Sequence, residues 1–381
     1  MIAEQLFSIE PLVVLGNARR PELICDPVAP SALSCFGPRG AAIIGDWLYV
    51  CDTGHHRLLG FAHDGLTDQG LASLVIGQPG FNREGRNGKA AISAHSLNVP
   101  TGLCGIDYEG RQGLAVADAW NHRILIWNTL PTKSGTPADL VLGQVDFSSG
   151  ESNCARQSPD ASSMHWPYGV YFGGGRLFVA DSGNRRVMVW NDLPTRNNQP
   201  CDFVLGQRDF TCRDENAGHD PDAMSMRWPH GITLAGDKLC VSDAGNNRLM
   251  LWSEMPDASG APCDIVLGQK DFSACDHNQA RYNPDAASLN MPYSVAVYEN
   301  WLLTTDTANS RIVGYDLNKL ATGMNAELLL GQKTFADKGD NRWKPPQADS
   351  FCWPYHISVD GELAVIADSG NNRVSVWRLR S

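Results

Sequence analysis

The stretch Val179-Ala180-Asp181-Ser182-Gly183-Asn184-Arg185-Arg186-Val187 decides the fold, because the chain keeps returning to it. A close copy runs Ile366-Ala367-Asp368-Ser369-Gly370-Asn371-Asn372-Arg373-Val374. In the looser form Asp-x-x-x-x-Arg the segment occurs at Asp52–Arg57, Asp118–Arg123, Asp181–Arg186, Asp243–Arg248, Asp306–Arg311 and Asp368–Arg373. The copies lie about 63 residues apart, and six such periods account for nearly all of the 381 residues. A fixed period of this size is the mark of a repeat architecture.

Other features keep the same period. Leu-Gly-Gln recurs at Leu142–Gln144, Leu205–Gln207, Leu267–Gln269 and Leu330–Gln332, with Ile76-Gly77-Gln78 as a variant. A proline opens each unit at Pro38, Pro100, Pro167, Pro229, Pro292 and Pro354. An aromatic follows each arginine: Phe61, Trp127, Trp190, Trp252, Tyr315 and Trp377. Within the last unit, His356–Val359, Glu362–Asp368 and Arg373–Trp377 alternate as strands, and Ser369–Asn372 supplies turn residues that tolerate positive φ. Elsewhere a fourth strand follows, as at Phe203–Gly206. Four short antiparallel strands per repeat is the pattern of one propeller blade.

The last unit stops after its third strand, and Leu12-Val13-Val14-Leu15-Gly16-Asn17 reads as the missing fourth. The expected fold is therefore all-β: a six-bladed β-propeller of four-stranded antiparallel blades, its ring closed by the N-terminal strand joining the last blade. Blade boundaries are expected near residues 38–78, 100–144, 167–207, 229–269, 292–332 and 354–377 plus 12–17, in one ring spanning 1–381 with no second domain. The motif copies around Asp181 and Asp368 resemble the NHL-repeat family of six-bladed propellers over the whole chain. That resemblance implies the fold. It leaves function open, since the family includes RNA binders, protein-interaction modules, lyases and sensor ectodomains.

Composition narrows the choice. The hydrophobic fraction is 43% and the charged fraction 19%, ordinary for a globular protein. No apolar run is long enough for a membrane span, and Met1–Gln5 has no basic start leading into an apolar core, so a cytoplasmic location is expected. A net charge of −11 with no Lys/Arg run makes nucleic acid an unlikely partner. Eleven cysteines, an odd count, argue against a disulfide framework. Cys51, Cys104 and Cys240 fall inside strand patterns and read as core.

Function is expected on the face carrying the long links from each fourth strand to the next blade's first strand, such as Gln207 to Pro229. One apolar residue per link (Leu97, Met164, Met226, Leu289, Phe351) is expected to plug between blades. Pro-Asp-Ala at Pro159, Pro221 and Pro284 reads as the start of a short helical turn. The repeated Asp and Arg read as scaffold, because a site needs asymmetry. Asymmetry appears just after each opening proline, where Arg39, Thr101, Tyr168, His230, Tyr293 and Tyr355 begin the innermost strands, followed by Gly40, Gly102, Gly169, Gly231, Ser294 and His356. Arg39, Tyr168, His230, Tyr293, Tyr355 and His356 are thus the candidate ligand-binding residues at the channel mouth. Trp120, which replaces the usual turn glycine, forms with His55, His56 and His122 a candidate surface for a protein partner.

Three readings follow. The first is a non-catalytic binding module for a protein or small molecule. The second is a metal- or cluster-handling protein using link thiols, with Cys35, Cys154, Cys212, Cys275, Cys352 and His165 as candidate ligands, and Cys25 in the same closing link as Cys35. The third is a metal-dependent lyase or lactonase-like enzyme, which the resemblance allows. It is the less favoured, because neither inner position carries Asp or Glu and its two histidines are out of register.

Overall fold

The computed structural model describes residues 6–16 and 28–380. They form six separate four-stranded antiparallel sheets. The innermost strands are Gly40–Ile44, Pro100–Tyr108, Pro167–Gly173, Pro229–Ala235, Pro292–Tyr298 and Pro354–Asp360. Five sheets are built from consecutive strands. The sixth takes Val13–Gly16 as its outer strand against Arg373–Arg378, with Val13 opposite Val376 and Gly16 opposite Arg373. The ring therefore closes through the first and last strands. Asn17 lies outside the described residues. Among those described, no helix is long and apolar enough to cross a membrane.

The core lies between blades rather than within them. Ala42, Tyr49, Cys51 and Leu58 of the first blade pack with Leu103, Leu114, Val116 and Trp127 of the second. At the closure, Val13, Leu15, Val365 and Val374 pack with Ala41, Leu48 and Val50. Each sheet is apolar on both faces, so each blade is stable only when covered by its neighbours. Leu97, Met164, Met226, Leu289 and Phe351 are fully buried, as the link pattern predicts. Gly206 of Leu-Gly-Gln sits at φ +88°, and an added Cβ there would meet the Met226 side chain 2.8 Å away. The glycine thus serves both a left-handed backbone and the plug beside it.

The repeated Asp and Arg form one buried bridge per blade. Arg Nε donates to Asp Oδ2 at 2.6–3.0 Å in all six. In the third blade Asp181 Oδ1 also accepts the His165 N–H, while Arg186 donates to the carbonyls of Phe210, Asp160 and Ser163. Two links are thereby tied to one turn. A buried ion pair is tolerable only when its remaining donors and acceptors are used, and here they are.

The links differ from expectation in one respect. Their helical element is a 3₁₀ turn upstream of Pro-Asp-Ala, at Ser152–Ala155 in the second link, where Asn153 and Cys154 adopt positive φ. Asp160 instead opens a plain turn, its N–H donating to Ser163 Oγ and its carboxylate accepting the Ser162 N–H. Side-chain hydrogen bonds to the backbone outcompete the helix-start preference of proline.

Candidate functional site

The innermost strands line a central channel of about 570 Å³. Four of the six positions after Arg39, Thr101, Tyr168, His230, Tyr293 and Tyr355 are glycine because neighbouring inner strands nearly touch. A Cβ on Gly169 would collide with the His230 carbonyl oxygen. At the other two positions a side chain bridges the blades. Ser294 Oγ donates to the Ile357 carbonyl and accepts the Ile357 N–H, each at 3.1 Å. His356 Nδ1 accepts the Ala41 N–H at 3.4 Å. His356 lines the channel, but one of its nitrogens is already committed to closing the ring.

At the mouth, five of the candidate side chains form one continuous arc. Tyr168 and His230 have ring centroids 4.8 Å apart, His230 and Tyr293 4.5 Å, and Tyr293 and Tyr355 4.5 Å with planes only 8° apart. The Arg39 guanidinium lies over the far face of Tyr355, 4.6 Å from its centroid. Thr101 takes the sixth place and turns its hydroxyl to the Tyr168 carbonyl. One contact register carried by successive blades therefore becomes a stack of flat groups around the axis.

The mouth is held neutral apart from Arg39. Burial pulls the His230 imidazole down to about 4 despite its hydrogen bond to the Trp228 carbonyl, and the Arg39 charge pulls in the same direction. That carbonyl can only accept, so Nδ1 carries the proton and Nε2 keeps a free lone pair. Burial likewise brings His356 to about 4. The Tyr293 hydroxyl is pushed up by burial and by Tyr355 beside it.

Relatives share the repeat. Over 94% of this chain, NHL repeat-containing protein 2 of Homo sapiens is 24% identical and that of Bos taurus 23%. The chain spans about half, 48%, of the length of these curated relatives. With six four-stranded blades in a closed ring, the chain is a six-bladed β-propeller whose repeats are similar to those of the NHL repeat-containing proteins. No protein-family model matches the sequence. Among solved structures, a protein of unknown function from Bacteroides thetaiotaomicron superposes with a TM-score of 0.50 at 11% identity, covering 93% of this chain and 73% of that one. This likeness is one of fold.

The turns place the residues expected as a partner surface in different surroundings. Trp120 is exposed, but His55 is fully buried. It takes the place that asparagine holds in the other five turns, with Nδ1 on Asp52 Oδ2 and Nε2 on the Val28 carbonyl, at 2.8 and 2.7 Å. His56 and His122 are half-buried and act as clamps between blades. Each sits in the left-handed position that ends its turn, and its Nδ1 accepts an N–H from the residue before the next blade's proline, Val99 and Trp166 respectively, at 3.1 Å. Asn247 does the same for Met291, Ser310 for Trp353, and Asn372 for Gly37 across the ring closure. Arg185, which has no acceptor, is the exception, and Trp228 alone of these six recipients avoids positive φ. The fifth residue of each Asp-x-x-x-x-Arg segment carried this signal, since five of the six can accept a hydrogen bond.

The candidate metal ligands do not converge. Among the described residues no three His, Cys, Asp or Glu side chains are placed to share one ion. Cys35 is buried, Cys154 donates to the Gly143 carbonyl, Cys212 contacts Arg208 and Asp209, and Cys352 packs on Gly370. Burial raises the Cys35, Cys154 and Cys275 thiols and pushes Cys352 up to about 12. His165 packs on Trp166 and His122, with ring centroids 4.5 and 5.3 Å away. Cys25 lies outside the described residues.

Sequence reading missed Phe36 among the exposed aromatics of the rim. Phe36, Trp120, Trp166, Trp228 and Trp353 are each 41–47% exposed and all belong to the link face. Phe36 holds the repeated place two residues before the opening proline, its N–H donating to Asp52 Oδ1 as the His165 N–H does to Asp181 Oδ1.

Proposed function

We propose that this propeller is a non-catalytic binding module whose link face holds a partner protein, with the channel mouth receiving one of its groups. The observation that carries this reading is the stacked arc from Tyr168 to Arg39 at the opening of the channel. Exposed aromatic side chains of the link face, Phe36, Trp120, Trp166, Trp228 and Trp353 among them, supply anchors of the kind that dominate protein interfaces. The repeated groups are saturated by each other and stay with the scaffold, whereas the arc and rim break the repeat.

The test separates site from scaffold. Tyr168→Ala, His230→Ala and Tyr355→Ala are expected to abolish co-purification of the partner from native cells while the melting temperature is kept. Asp181→Ala is expected to lower the melting temperature and leave residual folded protein competent to bind. Equal loss of binding and stability in both sets refutes the division.

A further inference from the structure

We propose that the channel mouth is a carboxylate receptor, with the Arg39 guanidinium as the anchoring group. The inference rests on the mouth being a binding site and adds the chemistry of what enters it. Arg39 makes its side-chain contact with the face of Tyr355, and among the described residues no carboxylate or carbonyl accepts from its guanidinium. The contrast with the six arginines of the turns is sharp, since each of those is bound to an aspartate and to link carbonyls. An arginine fork left free in a concave site matches a planar two-oxygen anion.

The surroundings favour one negative charge. Arg39 is the sole Lys or Arg among the described channel-lining residues, and both histidines there are neutral at physiological pH. The lining carboxylates, Asp107 and Asp360, stand at the opposite ends of their inner strands. At about 3.3 Å per residue that is roughly 20 Å from the mouth, beyond the ~8 Å screening length of physiological salt. They therefore leave the Arg39 charge unmatched. A polyanion is disfavoured by the net charge of −11, so a single local anion is the better fit.

The rings point the same way. A cation is bound over open aromatic faces. Here the faces of Tyr355 are turned toward Tyr293 and Arg39, while Tyr168 and His230 meet at 37° and His230 and Tyr293 at 45°. Tyr355 thus offers a ligand its ring edge, the positive part of the aromatic quadrupole. The free Nε2 of His230 can take one N–H or O–H from the same ligand.

The carboxylate can come from a free organic acid or from an acidic side chain of a polypeptide, and one titration distinguishes them. Saturation-transfer NMR at neutral pH is run with benzoate, with its neutral counterpart benzamide, and with the capped dipeptide N-acetyl-phenylalanyl-aspartyl amide beside its asparaginyl analogue. In the unmodified protein the charged member of each pair is expected to bind at least about tenfold more tightly than the neutral one, a difference near 1.4 kcal/mol. Arg39→Gln should remove that preference, and Arg39→Lys should keep part of it. Tighter binding of the aspartyl peptide than of benzoate assigns the source to a polypeptide, and the reverse assigns it to a free acid. Equal binding of charged and neutral probes overturns the carboxylate assignment. If Tyr168→Ala still abolishes that binding, the mouth stands as a site for neutral ligands. Absence of transfer from every probe overturns the assignment as well. The comparison of probes on the unmodified protein decides the matter even if an Arg39 variant fails to fold.

Discussion

Arg186 illustrates how the repeated residues are used up. Its guanidinium is spent on Asp181 and three link carbonyls, and removing either partner would strand the other in a site without water. Arg186→Ala or Asp181→Ala is therefore expected to cost about 3–5 kcal/mol in urea unfolding. Histidine makes the second prediction at this scale. His122, His230 and His356 are held near 4 by burial, against an ordinary 6.5. Between those values the unfolded chain binds protons that the folded one refuses. Their contribution to stability is thus complete above about pH 6.5 and is lost as pH falls toward about 4. Urea midpoints measured across that window should fall with pH. His122→Asn, which keeps an acceptor for the Trp166 N–H but does not titrate, should flatten part of the slope. Residue roles in the scaffold were legible because six copies at one spacing can be compared with each other. The burial of His55 was not, since a histidine in an asparagine position reads as exposed until its acceptors are known.

At the scale of elements, turn and link hold one another, and the left-handed residue ending each turn is the clamp. Asn247→Ala removes the acceptor of the Met291 N–H and is expected to cost about 1–2 kcal/mol. The third blade offers the converse. Arg185→Asn adds a side-chain acceptor beside the Asp243 Oδ1 that the Trp228 N–H already reaches at 3.2 Å and suits a φ of 55°, so a gain of up to about 1 kcal/mol is expected by the same measurement. A loss would show that the Trp228 N–H is better served by Asp243. The apolar plugs of the links were legible from their place before each proline. The link turns were misread at Pro159, because local bonds from Asp160 and Ser163 decide the conformation and composition does not reveal which side-chain bond will form.

For the whole molecule, the ring depends on four residues, Val13–Gly16, covering the edge of Arg373–Arg378. Deleting residues 1–16 should lower the melting temperature and give concentration-dependent aggregation, seen by light scattering, because it opens that strand edge. Fold and closure were legible since period and truncation both appear in one chain. The mouth was legible only as a set of positions. That Tyr293 and Tyr355 stack, that Arg39 covers their end, and that Ser294 and His356 bridge blades follow from side-chain directions that one sequence does not carry. The most direct measurement labels the nine tyrosines with fluorine and follows their NMR signals during a benzoate titration. Saturable shifts at Tyr168, Tyr293 and Tyr355, with Tyr49 and Tyr315 of the scaffold unmoved, are the expected result. Shifts confined to surface tyrosines such as Tyr282, or no saturable shift at the three mouth residues, would contradict it.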